Sequence, residues 1–324
     1  MRVSLRGKGR SAEATTFKAS ALENLYEMKQ QLIEHTYRLS PYNKFIVTEP
    51  KRRVIMSGSF RDKVLQHCLC DYVLIPRIKK EFILDNYAGQ IGKGTLFGLN
   101  RLSEHLLNYY KDHGCKGYIL KCDITRFFYS INHNKMKEII ANYFEDMDIR
   151  WICNLFIDSI KEDGLPLGNQ TSQVFALMYL IELDNLITKD YGFNHYGRYM
   201  DDFYVISDDK DALKELLEKI RLLLRDYSLT LNNKTEIVQI QKGIRFLGFH
   251  VYLTDDGKVI RKLYGERKRH MKKKLRKYVS LVKSNRMTDT KFQEIYGSMM
   301  NHLSHGNCYR LSLEINSMVD RLLN

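Results

Sequence analysis

The sequence predicts an α+β fold in which antiparallel strands are backed by helices. Residues 117–123 have the composition of a strand, and residues 197–206 indicate two strands joined by a tight turn. Residues 174–181 are apolar on every face, which is typical of a buried helix. Residues 261–324 continue with apolar residues at helical spacing, so both kinds of element contribute to the fold.

The charge of the chain indicates a polyanionic partner. The 324 residues have a formal net charge of +14, and residues 261–324 contain 15 basic but only 5 acidic residues. Nucleic acid is the first candidate partner and an anionic membrane surface is the second. No run of 18 apolar residues predicts a membrane span, and Met1–Lys8 has no apolar segment typical of a secretion signal. The six cysteines form no C-x-x-C pair, so we expect a cytoplasmic protein with reduced, buried thiols and no zinc.

The N-terminal part combines a helix with a basic, strand-like segment. A helix is predicted from about residue 20 to residue 37, and β-favouring residues follow over 42–56. The basic cluster Pro50–Arg53 lies inside this segment. Its Lys51 and Arg53 are candidate phosphate contacts, while a solvated run of charge is an equal alternative.

A second helix is predicted over residues 60–84, with Pro76 bending or ending its first half. This helix carries Arg61, a further candidate cation. The Gly92–Thr95 segment lacks the spacing of a phosphate-binding loop, so we predict a flexible basic turn there. A helix over residues 96–111 follows.

The middle of the chain places one acid and one glycine-bearing loop beside predicted elements. Asp123 ends the strand over 117–123, where a lone acid is usually a cap or turn residue. Helices are predicted over 134–144 and 149–160. The loop over 164–173 opens into the buried helix, whose N-terminal N–H groups favour phosphate or polar substrate edges. This loop contains Leu167, Gly168 and Gln170.

Two adjacent acids, Asp201 and Asp202, occupy the predicted turn between strands. Such a pair is costly to hold together unless a cation lies beside it. Mg²⁺ prefers one or two carboxylates together with substrate phosphates, so the pair is a candidate metal site. An ordinary solvated Asp-Asp turn is the alternative from these two residues alone.

The C-terminal part contains a basic amphipathic helix. A helix over 212–224 and a turn over 231–235 come first, followed by a strand or hairpin over 244–251, in which Gly248 allows another backbone to approach closely. Apolar residues at 271, 275, 278 and 282 then form one stripe, and four lysines lie off it: Lys272, Lys273, Lys274 and Lys277. A helix lying on a membrane would look similar, but we favour nucleic acid because the stripe contains only one aromatic residue.

Taken in order, these sites resemble the motifs of reverse transcriptases. Asp123-x-x-x-x-Phe128 is similar to the first palm motif of that family, and Leu165–Gln173 is similar to the second. Tyr199–Asp202 resembles the third, and Phe246–Phe249 resembles the primer-grip hairpin. Each motif alone is weak, whereas the ordered set is specific and runs from about Tyr42 to the C-terminus.

The resemblance implies a right-hand polymerase fold and assigns roles to residues. It implies fingers over 1–116, a palm with inserted fingers helices over 117–260 and a helical thumb over 261–324. Asp123, Asp201 and Asp202 would serve two Mg²⁺ ions, for which Mn²⁺ can substitute, with Asp123 and Asp201 bridging both. At the incoming nucleotide it implies Lys51, Arg53 and Arg61 as triphosphate contacts, Phe128 as steric gate, and Leu167, Gly168 and Gln170 as further contacts. Lys234 would be the general acid. Phe246, Leu247 and Gly248 would form the primer grip, and the four helix lysines would contact the nucleic-acid backbone.

Within the family, the chain most resembles bacterial enzymes related to those of group II introns, especially those of diversity-generating retroelements. Phe60–His67, Tyr87–Thr95 and Asn301–Leu311 carry this likeness. Antiviral-defence reverse transcriptases, which copy a dedicated non-coding RNA, share much of the pattern, and a catalytically silent RNA-binding scaffold is a third alternative. Leu167 stands where many members have glutamine, which predicts low fidelity.

The resemblance also implies the partners: an RNA template, a DNA or RNA primer and dNTPs. A dedicated template or non-coding RNA, and an accessory protein or a second copy of the chain, are further candidates. No membrane partner is expected, and the protein is expected to be encoded by a bacterium or a phage.

Overall fold

The computed structural model describes residue 4, residues 11–48 and residues 51–323. Contacts between backbone segments divide the chain into two compact units, both of them discontinuous in sequence. The first unit comprises Met1–Leu84, Ile124–Gly192 and Leu217–Asn233, and the second comprises Asp85–Asp123, Phe193–Leu216 and Lys234–Asn324. Pro50 and most of Met1–Lys8 lie outside the described residues.

The second unit is built on a four-stranded antiparallel sheet. Its strands are β3 (Tyr118–Asp123), β4 (Tyr196–Tyr199), β5 (Asp202–Ser207) and β6 (Glu236–Gln239), in the order β4-β5-β3-β6. The two inner strands are buried along their middle residues, because aromatic and β-branched side chains occupy both faces. Asp123 is paired with Asp202 at the end of the β3–β5 ladder.

A smaller antiparallel sheet and four helices complete this unit. The sheet contains β7 (Ile244–Phe246), β8 (Phe249–Leu253) and β9 (Val259–Leu263). The helices are α5 (Thr95–His113), α12 (Gly265–Lys283), α13 (Asp289–Ser304) and α14 (Tyr309–Leu323). One apolar core joins these elements, with Leu102, Phe249, Leu275 and Ile315 among its buried members. Burial of such side chains is the main favourable term in folding, at roughly 25 cal/mol per Å² of apolar surface.

The first unit contains a β-hairpin and several helices. The hairpin strands are β1 (Asn43–Val47) and β2 (Arg53–Ser57), with Val47 paired to Arg53. The helices are α1 (Ala12–Ala19), α2 (Ala21–Ile33), α3 (Phe60–Leu69), α4 (Ile75–Ile78), α6 (Phe127–Ser130), α7 (His133–Tyr143), α8 (Met147–Ile157), α9 (Gln170–Tyr179) and α10 (Ile181–Asn185). A further helix, α11 (Lys210–Asp226), spans the boundary between the units.

Two helices differ from their sequence predictions for identifiable reasons. The helix predicted over 60–84 is divided, because a π-helical turn (Cys70–Leu74) and a 3₁₀ turn (Lys79–Glu81) flank α4. Pro76 lacks the N–H that would continue an α-helical ladder, which accounts for the irregularity before it. Helix α9 begins at Gln170 instead of 174, because the Gln66 side chain accepts the Gln170 backbone N–H at 2.9 Å.

Within the described residues, no helix is long and apolar enough to cross a membrane.

Candidate active site

The main sheet brings the three predicted acids to one edge. Asp123 ends β3, and Asp202 begins β5 directly opposite it. Side chains opposed in this way lie on the same face with Cβ atoms about 4.5–5.5 Å apart. Asp201 lies in the two-residue loop between Tyr199 and Asp202, which are themselves paired. Asp123 and Asp201, which are 78 positions apart in the sequence, are therefore brought near each other by strand pairing.

The loop that carries Asp201 has unusual backbone geometry. Met200 has a φ of +54°, in the left-handed region that residues other than glycine seldom adopt. A two-residue hairpin loop with positive φ only at its first residue corresponds to a type II′ turn, where glycine is usual. Holding methionine there costs on the order of 1–3 kcal/mol, which the surrounding structure must offset.

Lys121 is a functional candidate that the sequence interpretation missed. It is two residues before Asp123 on β3 and therefore shares a face with it. Its side chain is only 11% exposed, and its Nζ forms an ion pair with the Asp202 carboxylate. The same Nζ donates to the Cys122 carbonyl oxygen at 3.0 Å and lies 5.8 Å from the centre of the Phe246 ring.

Burial and neighbouring charges act in opposite directions on the pKa of Lys121. Burial lowers the pKa of the Lys121 ammonium to about 8, although Cys122 and then the carboxylates of Asp123, Asp201 and Glu236 act to raise it. No local sequence signal identified it, because Lys121 lies in a strand whose four middle residues are all buried.

The acids fit a metal ion that is shared with a substrate. In residue 4 and residues 11–48 and 51–323, no group of three or more His, Cys, Asp and Glu side chains could hold a metal ion. The Asp202 carboxylate is paired with Lys121. Asp123 and Asp201 are the two acids that flank it, one opposite on β3 and one in the preceding loop. Two carboxylates are a sufficient protein contribution for Mg²⁺, since substrate phosphates and water provide its other ligands.

Lys234 precedes β6 and is exposed. The β3–β6 ladder pairs Lys121 with Glu236 as its last pair. The register then changes, because the next bridge pairs Ile124 with Leu231. The predicted general acid therefore lies in the turn between these two pairings, directly before β6.

The predicted primer-grip residues form the tight turn between β7 and β8. Leu247 and Gly248 both have positive φ, at +46° and +97°. Phe246 is buried, with its ring 5.2 Å from that of Tyr204, so it belongs to the core. The expectation that Gly248 admits another backbone was wrong. A Cβ atom there would meet the guanidinium of Arg267 on α12, so a side chain occupies the space instead.

The predicted nucleotide contacts in the first unit form two groups. Lys51 and Arg53 are exposed on the β1–β2 hairpin. Arg61 instead packs 4.3 Å above the Tyr37 ring and donates to Gln31. Its guanidinium is therefore already engaged within the fold.

The glycine-bearing loop is attached to β2 and α3. The Leu167 carbonyl oxygen accepts the Met56 N–H at 2.7 Å. Gly168 has a φ of +118°, and a Cβ atom there would lie 2.8 Å from Ile55. The Gln170 side chain donates to Asp71 at 2.6 Å, so its amide nitrogen is used in a hydrogen bond within the fold.

The two adjacent phenylalanines differ in burial. Phe127 is buried and Phe128 is half-buried, so Phe128 is the ring with accessible surface for a ligand.

The four lysines of α12 are not equivalent. Lys272 forms an ion pair with Glu314 on α14, and Lys274 lies 5.8 Å from the centre of the Tyr278 ring. Lys273 and Lys277 are exposed. The predicted apolar stripe packs inward at Leu275, which is buried together with Val279.

Comparison with known proteins identifies the family of this chain. Residues 50–251, more than half of the chain, match the family model described as "Reverse transcriptase (RNA-dependent DNA polymerase)". The chain therefore belongs to the reverse transcriptase family. Enzymes of this family generally use divalent metal ions such as Mg²⁺. No curated protein sequence matches the chain.

Solved telomerase structures are similar in fold. One is telomerase from Candida albicans in complex with a fragment of telomeric RNA. The matched region covers 88% of this chain and 55% of the telomerase chain, with a TM-score of 0.56 and 14% sequence identity. Another is apo telomerase from Candida tropicalis, truncated from its C-terminal domain. Here the matched region covers 75% of this chain and 60% of the telomerase chain, with a TM-score of 0.54 and 14% sequence identity. The chain thus spans little more than half the length of these proteins. The predicted α+β polymerase fold is confirmed.

Proposed function

We propose that this chain copies an RNA template into DNA, with Asp123 and Asp201 holding two Mg²⁺ ions at the growing primer end. The observation that carries the proposal is the pairing of Asp123 with Asp202 beside the loop that contains Asp201. When bound, the ions would supply activation of the attacking 3′ oxygen and charge stabilisation of the leaving oxygen.

The residues of the chain would divide the remaining work. The ion pair between Asp202 and Lys121 would offset part of the negative charge of the three acids and hold the Asp202 side chain in place. Lys234, in the turn before β6, would donate a proton to the leaving pyrophosphate oxygen, because a cationic amine is a suitable general acid. Lys51 and Arg53 would contact the triphosphate.

Primer extension tests the proposal directly. An RNA template with an annealed DNA primer, given dNTPs and Mg²⁺, should yield DNA of the template's length, and chelation of the metal should abolish it. Addition of nucleotides without regard to template would favour a different polymerase activity. Absence of incorporation in both Mg²⁺ and Mn²⁺ would favour a non-catalytic RNA-binding scaffold.

Helix α12 is proposed to follow the nucleic-acid backbone. The similar Candida albicans telomerase is solved with a fragment of telomeric RNA, and we propose that this chain also binds RNA. Phosphate contacts by lysine give binding that weakens linearly in a plot of log affinity against log salt.

Removing the two exposed lysines should therefore make this salt dependence shallower. For Lys273→Ala combined with Lys277→Ala, we expect the slope to decrease by about 1.5, because each contact contributes roughly 0.7–0.9. Fluorescence anisotropy of a labelled template–primer at several salt concentrations measures it. The matched control is Lys214→Ala with Lys291→Ala, since both lysines are paired with acids on their own helices. An equal slope in the two double variants would exclude α12 as the phosphate contact.

We further propose that the enzyme has low fidelity, as expected of a diversity-generating retroelement. Leu167 supports this, because its apolar side chain cannot make the polar contact that glutamine makes. Its backbone is held to β2 by the bond to Met56, so a side-chain change leaves the loop attached.

Leu167→Gln is expected to lower the misincorporation rate by up to about tenfold. One additional hydrogen bond contributes about 0.5–1.5 kcal/mol, and about 1.4 kcal/mol corresponds to a factor of ten. Sequencing of cDNA made on a defined RNA measures the error rate. Leu167→Met, which stays apolar, serves as the control and should match the parent. An unchanged error rate in Leu167→Gln would remove the basis for this part of the proposal.

Sequencing of the RNA that copurifies with the protein separates the biological roles. An RNA that includes a repeat next to a variable gene would support the retroelement. A dedicated non-coding RNA encoded beside defence genes would instead identify an antiviral-defence enzyme.

A further inference from the structure

A buried arginine lies directly before the acidic turn. Arg198 belongs to β4, and its side chain is fully buried at 0% exposure. A buried guanidinium must have hydrogen-bond partners to offset the loss of water. Its Nη1 donates to the carbonyl oxygen of Met200 at 3.1 Å. This contact reaches from one strand of the hairpin to the loop that carries Asp201.

The backbone of Arg198 is itself held from outside the hairpin. Its N–H donates to the Asp85 carbonyl oxygen at 2.9 Å, and its carbonyl oxygen accepts the Tyr87 N–H at 2.8 Å. The Asp85 carboxylate accepts two bonds from Arg101, at 2.6 and 2.9 Å. The base of the Arg198 side chain is therefore anchored to a segment that is in turn fixed to α5.

The bond to Met200 controls one peptide group. The Met200 carbonyl and the Asp201 N–H belong to the same rigid plane. Type I′ and type II′ turns differ by rotation of this central peptide, and the positive φ of Met200, without one at Asp201, corresponds to type II′. A rotation would break the bond from Arg198 and change the backbone direction from which the Asp201 carboxylate projects.

We propose that Arg198 is a positioning residue that locks the Met200–Asp201 peptide and so aims the Asp201 carboxylate. This inference rests on the proposed function of Asp201. It explains how methionine is kept at positive φ, because the Arg198 guanidinium holds the Met200 carbonyl oxygen on one side of the turn.

Kinetics of Arg198→Met test the inference. The variant keeps the length of the side chain but removes its donors. A hydrogen bond from a charged group contributes about 1.5–3 kcal/mol, so kcat for single-nucleotide incorporation should fall about 10- to 100-fold. The KM for dNTP and the affinity for template–primer should stay within about twofold. Binding of Mn²⁺ alone, followed by electron paramagnetic resonance, should weaken about tenfold.

Arg150→Met is the matched control. The Arg150 guanidinium also donates to backbone carbonyl oxygens, those of Phe144 and Ala141, but on α7 and α8 of the first unit. We expect it to lower the melting temperature while leaving kcat and Mn²⁺ binding unchanged. An equal loss of kcat in both variants would mean that removing any arginine that donates to backbone carbonyl oxygens has this effect, and the inference would fail.

Introducing Arg198→Met into a second variant, Met200→Gly, keeps the test decisive if Arg198→Met alone is poorly folded. Met200→Gly removes the backbone strain, because glycine adopts positive φ without penalty. In that background the loss caused by Arg198→Met should shrink to about threefold or less. The same loss in both backgrounds would contradict a role through Met200. If the parent protein incorporates no nucleotide, the proposed function fails, whereas the coupling between 198 and 200 can still be measured by Mn²⁺ binding.

Discussion

Asp201→Asn is expected to reduce nucleotide incorporation by about 10³-fold or more, while template–primer binding stays within about twofold. Asparagine keeps the shape of the side chain but lacks the charge that a divalent ion requires. Loss of several kcal/mol of charge stabilisation in the transition state corresponds to this factor. Single-turnover primer extension on an RNA template measures the rate, and a binding titration measures the affinity.

Two further variants make this prediction specific to the structure. Asp202→Asn should cost much less, about tenfold, because the Asp202 carboxylate is paired with Lys121. Asp208→Asn, beyond the other end of β5, is the control and should behave as the parent, since Asp208 is exposed beside His113. Equal losses at 201 and 202 would mean that both acids hold metal, and an active Asp201→Asn enzyme would refute the assignment of the site.

Phe128→Ala is expected to admit ribonucleotides, lowering the preference for dNTP over NTP by about 10- to 100-fold. The hypothesis is that the Phe128 ring leaves no room for a 2′-OH. Exclusion of one hydroxyl by packing corresponds to roughly this factor. The ratio of kcat/KM for a dNTP and its matching NTP, determined on one RNA template, is the measurement.

The neighbouring ring provides the comparison. Tyr129→Ala removes an exposed aromatic side chain one residue later and should leave sugar selection unchanged. Phe128→Tyr keeps a large ring and should keep the selection as well. If sugar selection in Phe128→Ala equals that of the parent, Phe128 is a structural residue and the gate must lie elsewhere.

Local sequence patterns predicted most elements because their periodicity reflects burial. The strand composition of 117–123 and the apolar stripe over 271–282 correspond to the observed β3 and α12. Elements that depend on distant partners were not predicted. Strand β6 is a mostly exposed edge strand that exists through pairing with β3, and the start of α9 depends on Gln66 of α3. The division into fingers, palm and thumb at 116 and 260 stays a prediction.

The sequence alone determined the family and predicted the three acids of the site, because the motif residues and their order are properties of the linear chain. Only the tertiary structure decided which partners these acids have. Pairing of β3 with β5 places Asp123 opposite Asp202. Lys121 forms an ion pair with Asp202, and Arg198 donates a hydrogen bond to the Met200 carbonyl oxygen. Such contacts depend on strand register and on burial, and neither Lys121 nor Arg198 differs locally from an ordinary strand cation until the sheet has formed around it.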